Sequence, residues 1–217
     1  MTEDLTKAIQ DVRYLLSRGY NRVVTIRFVA DSRRVTLSER YVLIRGVYDE
    51  TEAEKRRKKL VKTRSIADQI VSVDGYNLLI TVESMLAGKL LIQCDDSTTR
   101  DISAVFGKHK ITKRTFQALQ MILQIFKENN PKEVRFYYDK QVSKSGQLAS
   151  VTRRMLEEVG LKGTAATAQK SDMATLKSGG IIVSSDSVVV QKAENVLDLA
   201  GELAERASYK NMIKLPR

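Results

Sequence analysis

One cysteine, Cys94, and one histidine, His109, in 217 residues exclude whole classes of protein. A single thiol cannot build an internal disulfide framework or a cysteine-based zinc site. A single imidazole makes any Ser–His–Asp or Cys–His mechanism depend on His109, and no spacing around it supplies the partners. No apolar run approaches the ~18–20 residues of a membrane helix, and the opening MTEDLTKAIQ lacks the pattern of a signal peptide. The expectation is a reduced, cytoplasmic protein with no membrane association. Internal repeats and low-complexity tracts are missing as well.

What is present points to a folded, basic chain. A hydrophobic fraction of 42% supports a real core, and the length suits one medium α/β domain with a small appendage. There are 37 Lys and Arg against 26 Asp and Glu, and a positive field of that size favours polyanions. Residues 1–65 carry 16 of those bases against 9 acids, and the rest of the chain 21 against 17. The basic excess therefore sits mainly in the first third.

That first third reads as helical through about residue 64. Leu5, Ala8, Ile9, Val12, Leu15 and Leu16 recur at helical spacing before Gly19. Residues 21–30 form a second helix, and Thr36-Leu-Ser-Glu39 is a capping box that opens a third. The unit has the outline of a helix-turn-helix, which serves either nucleic-acid reading or plain docking and packing. Residues 49–64 pass from acidic to basic in the sense that a helix dipole favours. They read as a charged linker helix, either solvated or with Lys55–Lys59 and Lys62 following a phosphate backbone.

From Ile70 the pattern alternates between strand and helix. Strands are expected at 70–74, 90–94, 133–138, 164–168 and 181–185, and helices at 77–87, 112–129, 146–159 and 187–207. This order predicts an α/β domain over 65–217, with a three-layer, Rossmann-like, mostly parallel sheet. The loop at 95–111 is long enough to be functional, and 208–217 shows no element. Cys94 reads as a core residue. Three strands end in an acid, Asp74, Asp139 and Asp186, and a fourth candidate runs into Asp95-Asp96. A lone aspartate there is commonly a cap on local amides. Several in register lie where open α/β sheets place their sites.

The stretches VDGYNLL, FYYDKQVSKSG and IIVSSDSVVV resemble the three acid-bearing strands of PIN-like nucleases, especially their NYN branch. The whole chain, from Asp4 to about Glu205, is similar to a prokaryotic family that joins a short helical domain of unknown function to a PIN-like domain. Segments similar to DVRYLLSRGY, CDDSTTRDIS and SSDSVVVQKAENVLDLAG recur there in this order. The resemblance implies a metal-dependent nuclease, most often acting on RNA. It implies Asp74, Asp139 and Asp186 as ligands, with Asp95, Asp96 or Asp101 completing the cluster. Many PIN nucleases carry a further acid on a mid-chain helix, and here the 95–101 loop would have to supply it.

Physical chemistry agrees with that expectation. Gathered carboxylates repel unless protonated or bound to a cation, and oxygen ligands suit Mg²⁺ or Mn²⁺. Asp74, Asp139 and Asp186 are assigned as ligands, Asp96 as the group that orients or activates water, and Asp101 as a fourth-ligand candidate. Asn77, Ser143, Lys144, Ser145, Ser185 and Ser187 would meet the substrate at helix starts, with Ser184 beside them. Lys113 and Arg114 would hold its backbone, with Lys108, His109 and Lys110 on the preceding loop. His109 reads as a surface loop residue, Asp172 as a helix cap, and Glu83 as solvated or supporting. Tyr76 either packs on the neighbouring strand or stacks a base. The function expected is an endoribonuclease acting by metal-dependent phosphodiester hydrolysis, in a possible homodimer. The alternative is a nucleic-acid-binding protein that keeps the fold without cleaving.

Overall fold

The computed structural model describes residues 1–102 and 109–216, so Lys108 lies outside the described residues. Four helices come first: α1 (Glu3–Ser17), α2 (Arg22–Ser32), α3 (Leu37–Gly46) and α4 (Glu50–Arg57). Each opens on an oxygen side chain that accepts a free backbone amide, from Thr2, Asn21, Thr36 and Asp49 in turn. Thr36 and Glu39 make the full capping box. The charged segment after Asp49 stays helical only to Arg57. Leu60–Val61 then become β1, pairing in parallel with Val196 and Leu197. Two apolar residues that can extend a sheet override the helical charge pattern.

The main sheet is α/β in layout and parallel in every pairing. Its remaining strands are β2 (Ile70–Asp74), β5 (Glu133–Asp139), β6 (Gly163–Ala168), β7 (Ile181–Val183) and β8 (Val196–Leu197), in the order β1-β8-β7-β2-β5-β6. The helices that follow its strands are α5 (Gly75–Leu86), α6 (Lys113–Asn129), α7 (Ser145–Glu158), α8 (Ser171–Ser178), α9 (Ser187–Lys192) and α10 (Leu199–Arg206). The single helix expected over 187–207 is two helices. Val196 and Leu197 between them are fully buried as a strand beside β7. A gain of buried sheet edge outweighs the continuous helical pattern.

Alternation along β5 separates two layers. Val134, Phe136 and Tyr138 enter the core with α5, α6 and α7. Arg135 and Tyr137 face the other way and hydrogen-bond Ser178 at the end of α8. A second, three-stranded sheet has β3 (Leu91–Gln93) between β4 (Thr99–Asp101) and β9 (Met212–Lys214). The last of these falls in the segment expected to hold no element. The N-terminal helices do not close a core among themselves. Their buried cluster takes in Ile92, Cys94 and Leu215 from this small sheet and its flanks. Among the described residues no helix is long and apolar enough to cross a membrane.

Candidate functional site

β2 is the pivot of the large sheet. The chain leaves it towards β5 and β6, and returns to β7 and β8 on its other side. The crevice outside the carboxyl ends of β2 and β7 is therefore a topological switch point, where open α/β sheets bind ligands. Asp74 ends β2, Asp139 ends β5, and Ser184-Ser185-Asp186 follow β7. In the parallel register Ser72 lies beside both Arg135 and Ile182. The period of two then places Asp74, Tyr137, Asp139 and Ser184 on the α8–α9 side of the sheet. Two of the expected acids thus come to one edge and one face, and the third, Asp186, lies near Asp74 on the loop after β7.

Why the chain turns as it does after Asp74 is steric. A Cβ on Gly75 would collide with the Tyr138 ring and stand 2.9 Å from the Tyr137 carbonyl oxygen. Only glycine lets α5 start this close to β5. Asn77, one turn into α5, spends its side-chain oxygen on the β7 loop: it accepts the Ser185 amide (2.8 Å) and hydroxyl (3.1 Å). The Ser184 hydroxyl donates to Asp74 Oδ2 (3.1 Å). Asn77 and Ser185, assigned to substrate, instead fasten the loop that carries Asp186.

Asp74 is 6% exposed, and the Asn77 amide at the start of α5 favours its charged form only weakly. Burial first, then the nearby Asp186, push its pKa from the ordinary 3.8 to about 7; Ser184 opposes and Asp172 adds to the rise. Asp172, read as a cap, belongs to the neighbourhood of Asp74; the cap residue of α8 is Lys170. The other two acids are partly committed. Asp139 accepts the Gln141 amide (2.8 Å), and Asp186 caps α9 through the amides of Val188 and Val189 (2.9 and 3.1 Å). Among the described residues no group of three or more His, Cys, Asp or Glu is arranged to hold a metal. Tyr76 packs edge-on against Tyr138, as the packing alternative expected, with its buried hydroxyl unpartnered.

The loop acids do something different from what was expected of them. Asp96, assigned to activate water, is fully buried and receives Thr98 through Oδ1 and Arg100 (2.7 Å) and Arg56 (3.5 Å) through Oδ2. Burial pushes this carboxyl up, but Arg100 and the Thr98 bonds outweigh it and hold it below the usual range. Asp95 pairs with Arg13 and accepts the Tyr48 amide, and Asp101 pairs with Arg45 (3.3 Å). These carboxylates join α1, α3 and α4 to the β3–β4 hairpin, because the basic excess of the first helices lies directly against them. Arg56 and Arg100 also stack on the buried Tyr48 ring, 4.3 and 5.5 Å from its centroid. They continue to the acid edge: Arg100 Nε donates to the Ser185 carbonyl (2.5 Å) and Arg56 to the Ser187 hydroxyl (3.3 Å). Ser187 is thus held by the helical module, the second loop serine drawn away from its assigned role.

Of the remaining substrate candidates, Ser143 and Lys144 are exposed before α7, with Lys144 in the left-handed region (φ 63°), and Ser145 is buried. Lys113 and Arg114 are exposed at the start of α6. His109 is not a surface loop residue. It is 9% exposed, its Nε2 faces both oxygens of Glu83 (2.9 and 3.1 Å), and Thr115 donates to the same carboxylate (2.6 Å). Asp198 was missed altogether. It accepts the Thr99 amide (2.8 Å) and burial pushes it up to about 6, with Thr99 and Gly201 opposing. Nothing in its sequence surroundings, a helix start like many others, marks it.

Comparison with known proteins places the chain without naming an activity. The uncharacterized protein MJ0935 of Methanocaldococcus jannaschii is 34% identical over 205 residues, covering 94% of this chain and 97% of that one. No solved structure matches. Residues 4–59 match "Protein of unknown function (DUF434)", which ends where α4 gives way to β1. Residues 63–202, from the turn before β2 into α10, match "Domain of unknown function (DUF5616)", and the chain belongs to that family.

Proposed function

We propose that the carboxyl edge of β7, β2 and β5 hydrolyses phosphodiester bonds in RNA, as the PIN-like nucleases that its strand ends resemble do, inside a cytoplasmic protein. The observation that carries this reading is Asp74. It is a buried carboxyl raised to about 7 beside other acids, and among the described residues no Lys or Arg pairs with it. Such a group is poorly tolerated as an anion unless a cation joins it. The donors here are all oxygen, which suits a hard ion. A Mg²⁺ or Mn²⁺ held by Asp74 and Asp186, with Asp172 or Asp139, would supply Lewis acidity and a water of lowered pKa.

The chain's own contribution is positional. Ser184 fixes one oxygen of Asp74, and Asn77 fixes the backbone that brings Asp186 alongside. Lys144 stands exposed at the end of the β5 loop, free to meet a phosphate backbone as a point charge. The reading requires Asp139 and Asp186 to exchange their amide contacts for the ion. Labelled single-stranded RNA, incubated with Mn²⁺ or with chelator, tests it. Cleavage by the wild type that needs the metal and is lost in Asp74→Asn supports hydrolysis. A wild type that leaves RNA intact in Mn²⁺ refutes it.

The second reading is binding without cleavage. It is favoured by the amide commitments of Asp139 and Asp186 and by the surface of the first helices. Tyr14, Tyr20 and Phe28 are exposed there, among the exposed Arg18, Arg27 and Arg34. Aromatic faces among arginines suit single strands. RNA retention that falls steeply with salt, without cleavage, would select this reading.

A further inference from the structure

On the other face of the sheet, between α5 and the start of α6, lies a cavity of about 320 Å³ lined by Glu83, Lys89, His109, Lys110, Thr112 and Arg114. Its charges are unbalanced. Glu83 is the carboxylate in the lining, and it is already taken by His109 and Thr115. Among the described residues neither Lys89, Lys110 nor Arg114 has a carboxylate within ion-pair distance. Most arginines of the N-terminal helices, by contrast, are paired. His109 is held rather than merely placed. With both Glu83 oxygens on Nε2, that nitrogen carries the proton, which leaves Nδ1 as the acceptor in the neutral ring and a second donor in the charged one. The ring also rests against Tyr76 (centroids 5.4 Å apart), one residue from the glycine that follows Asp74. Three cations, an oriented imidazole and the opening amides of a 17-residue helix converge on a space at the small end of ligand sites.

We infer that this cavity binds a phosphate monoester group, with Lys89, Lys110 and Arg114 neutralising it and His109 as its hydrogen-bonding partner. A monoester carries close to two negative charges near neutral pH against a diester's one, which suits three cations without a carboxylate partner. The inference deepens the nuclease reading, by naming where a substrate's terminal phosphate is gripped, but it does not need turnover to be tested.

His109 is the only histidine, so long-range ¹H–¹⁵N spectra of the wild type contain one imidazole. In chelator, where cleavage is blocked, the probes are inorganic phosphate, adenosine monophosphate, a 5′-phosphorylated RNA oligomer and the same oligomer with a 5′-hydroxyl. The expected result is a saturable shift of the His109 nitrogens with the phosphorylated probes. The response should come at roughly tenfold lower concentration than with the hydroxyl oligomer, the scale of charge-assisted contacts. It should be lost in Lys110→Ala/Arg114→Ala, both exposed positions whose removal leaves the fold intact by circular dichroism. A stronger response to the phosphorylated oligomer than to the monophosphate assigns the group to an RNA end, and the reverse to a free nucleotide. An imidazole unmoved by every phosphate probe, equal responses to both oligomers, or a shift that survives the double substitution overturns the inference. A protein that binds these probes yet never cleaves RNA would refute the nuclease reading and leave this site standing.

Discussion

Replacing Asp74 with asparagine should stabilise the metal-free protein at neutral and higher pH. The carboxyl titrates at 3.8 when unfolded and at about 7 in the fold, a gap of about 3 pH units at roughly 1.4 kcal/mol each. A carboxyl with a raised folded pKa favours the folded state only while protonated. Its effect is therefore nil below pH 3.8, grows more unfavourable as pH rises to about 7, and is constant above. The ceiling is roughly 4 kcal/mol. Asparagine weakens the bond from Ser184, worth about 1 kcal/mol, so a net gain of roughly 3 kcal/mol is expected at pH 8. For a chain of this size that is a rise in Tm of roughly 6–12 °C. Thermal unfolding of both proteins in chelator, at pH 8 and pH 4, reads it directly. The gap should be large at pH 8 and closed at pH 4. An asparagine variant that melts below the wild type at pH 8, or a gap indifferent to pH, would refute the electrostatic reasoning about this edge.

Asp96→Asn leaves Arg56 and Arg100 buried without their counter-ion and should cost about 3–5 kcal/mol in urea unfolding. Because the folded pKa of Asp96 lies below its ordinary value, the wild type should lose this advantage as pH falls through that lower pKa, and the variant should not. Residues 60–217 expressed without the first helices would expose Ile92, Cys94 and Leu215 and take Arg13, Arg56 and Arg45 away from Asp95, Asp96 and Asp101. That fragment should bind a hydrophobic dye and lack a cooperative melt, whereas a sharp transition would show that the helices are dispensable.

Much of the α/β layout was legible because local and global signals agree in it. Ile70–Asp74 is apolar, is followed by the one residue that fits against Tyr138, and leads into a strongly apolar helix. The long amphipathic α6 and α7 announce themselves in the same way. What stayed hidden depends on partners distant in the chain. Leu60–Val61 and Val196–Leu197 are too short to signal a strand, and become one only by lying beside each other and β7. Met212–Lys214 needs β3. The strand-end acids could be assigned to one edge from periodicity alone, whereas the fate of the 95–101 acids could not. Their partners, Arg13, Arg45 and Arg56, are dozens of residues away, in helices whose basic character suggested an external polyanion. Part of that charge is spent internally, on Asp95, Asp96 and Asp101. His109 escaped for a similar reason, since a carboxylate 26 residues earlier on another element gives a histidine no local mark.

The position of β9 also bears on how the protein is made. Leu215 belongs to the apolar cluster of α1–α3, and Lys214 pairs beside Gln93 on the small sheet. Helices α1–α3 therefore lack part of their interior until residues 212–215 are translated. At about 5–20 residues per second that is a wait of roughly ten to thirty seconds. During it, these helices carry an open greasy surface, one that chaperones can occupy and that loss of residues 212–215 would leave permanently unsealed.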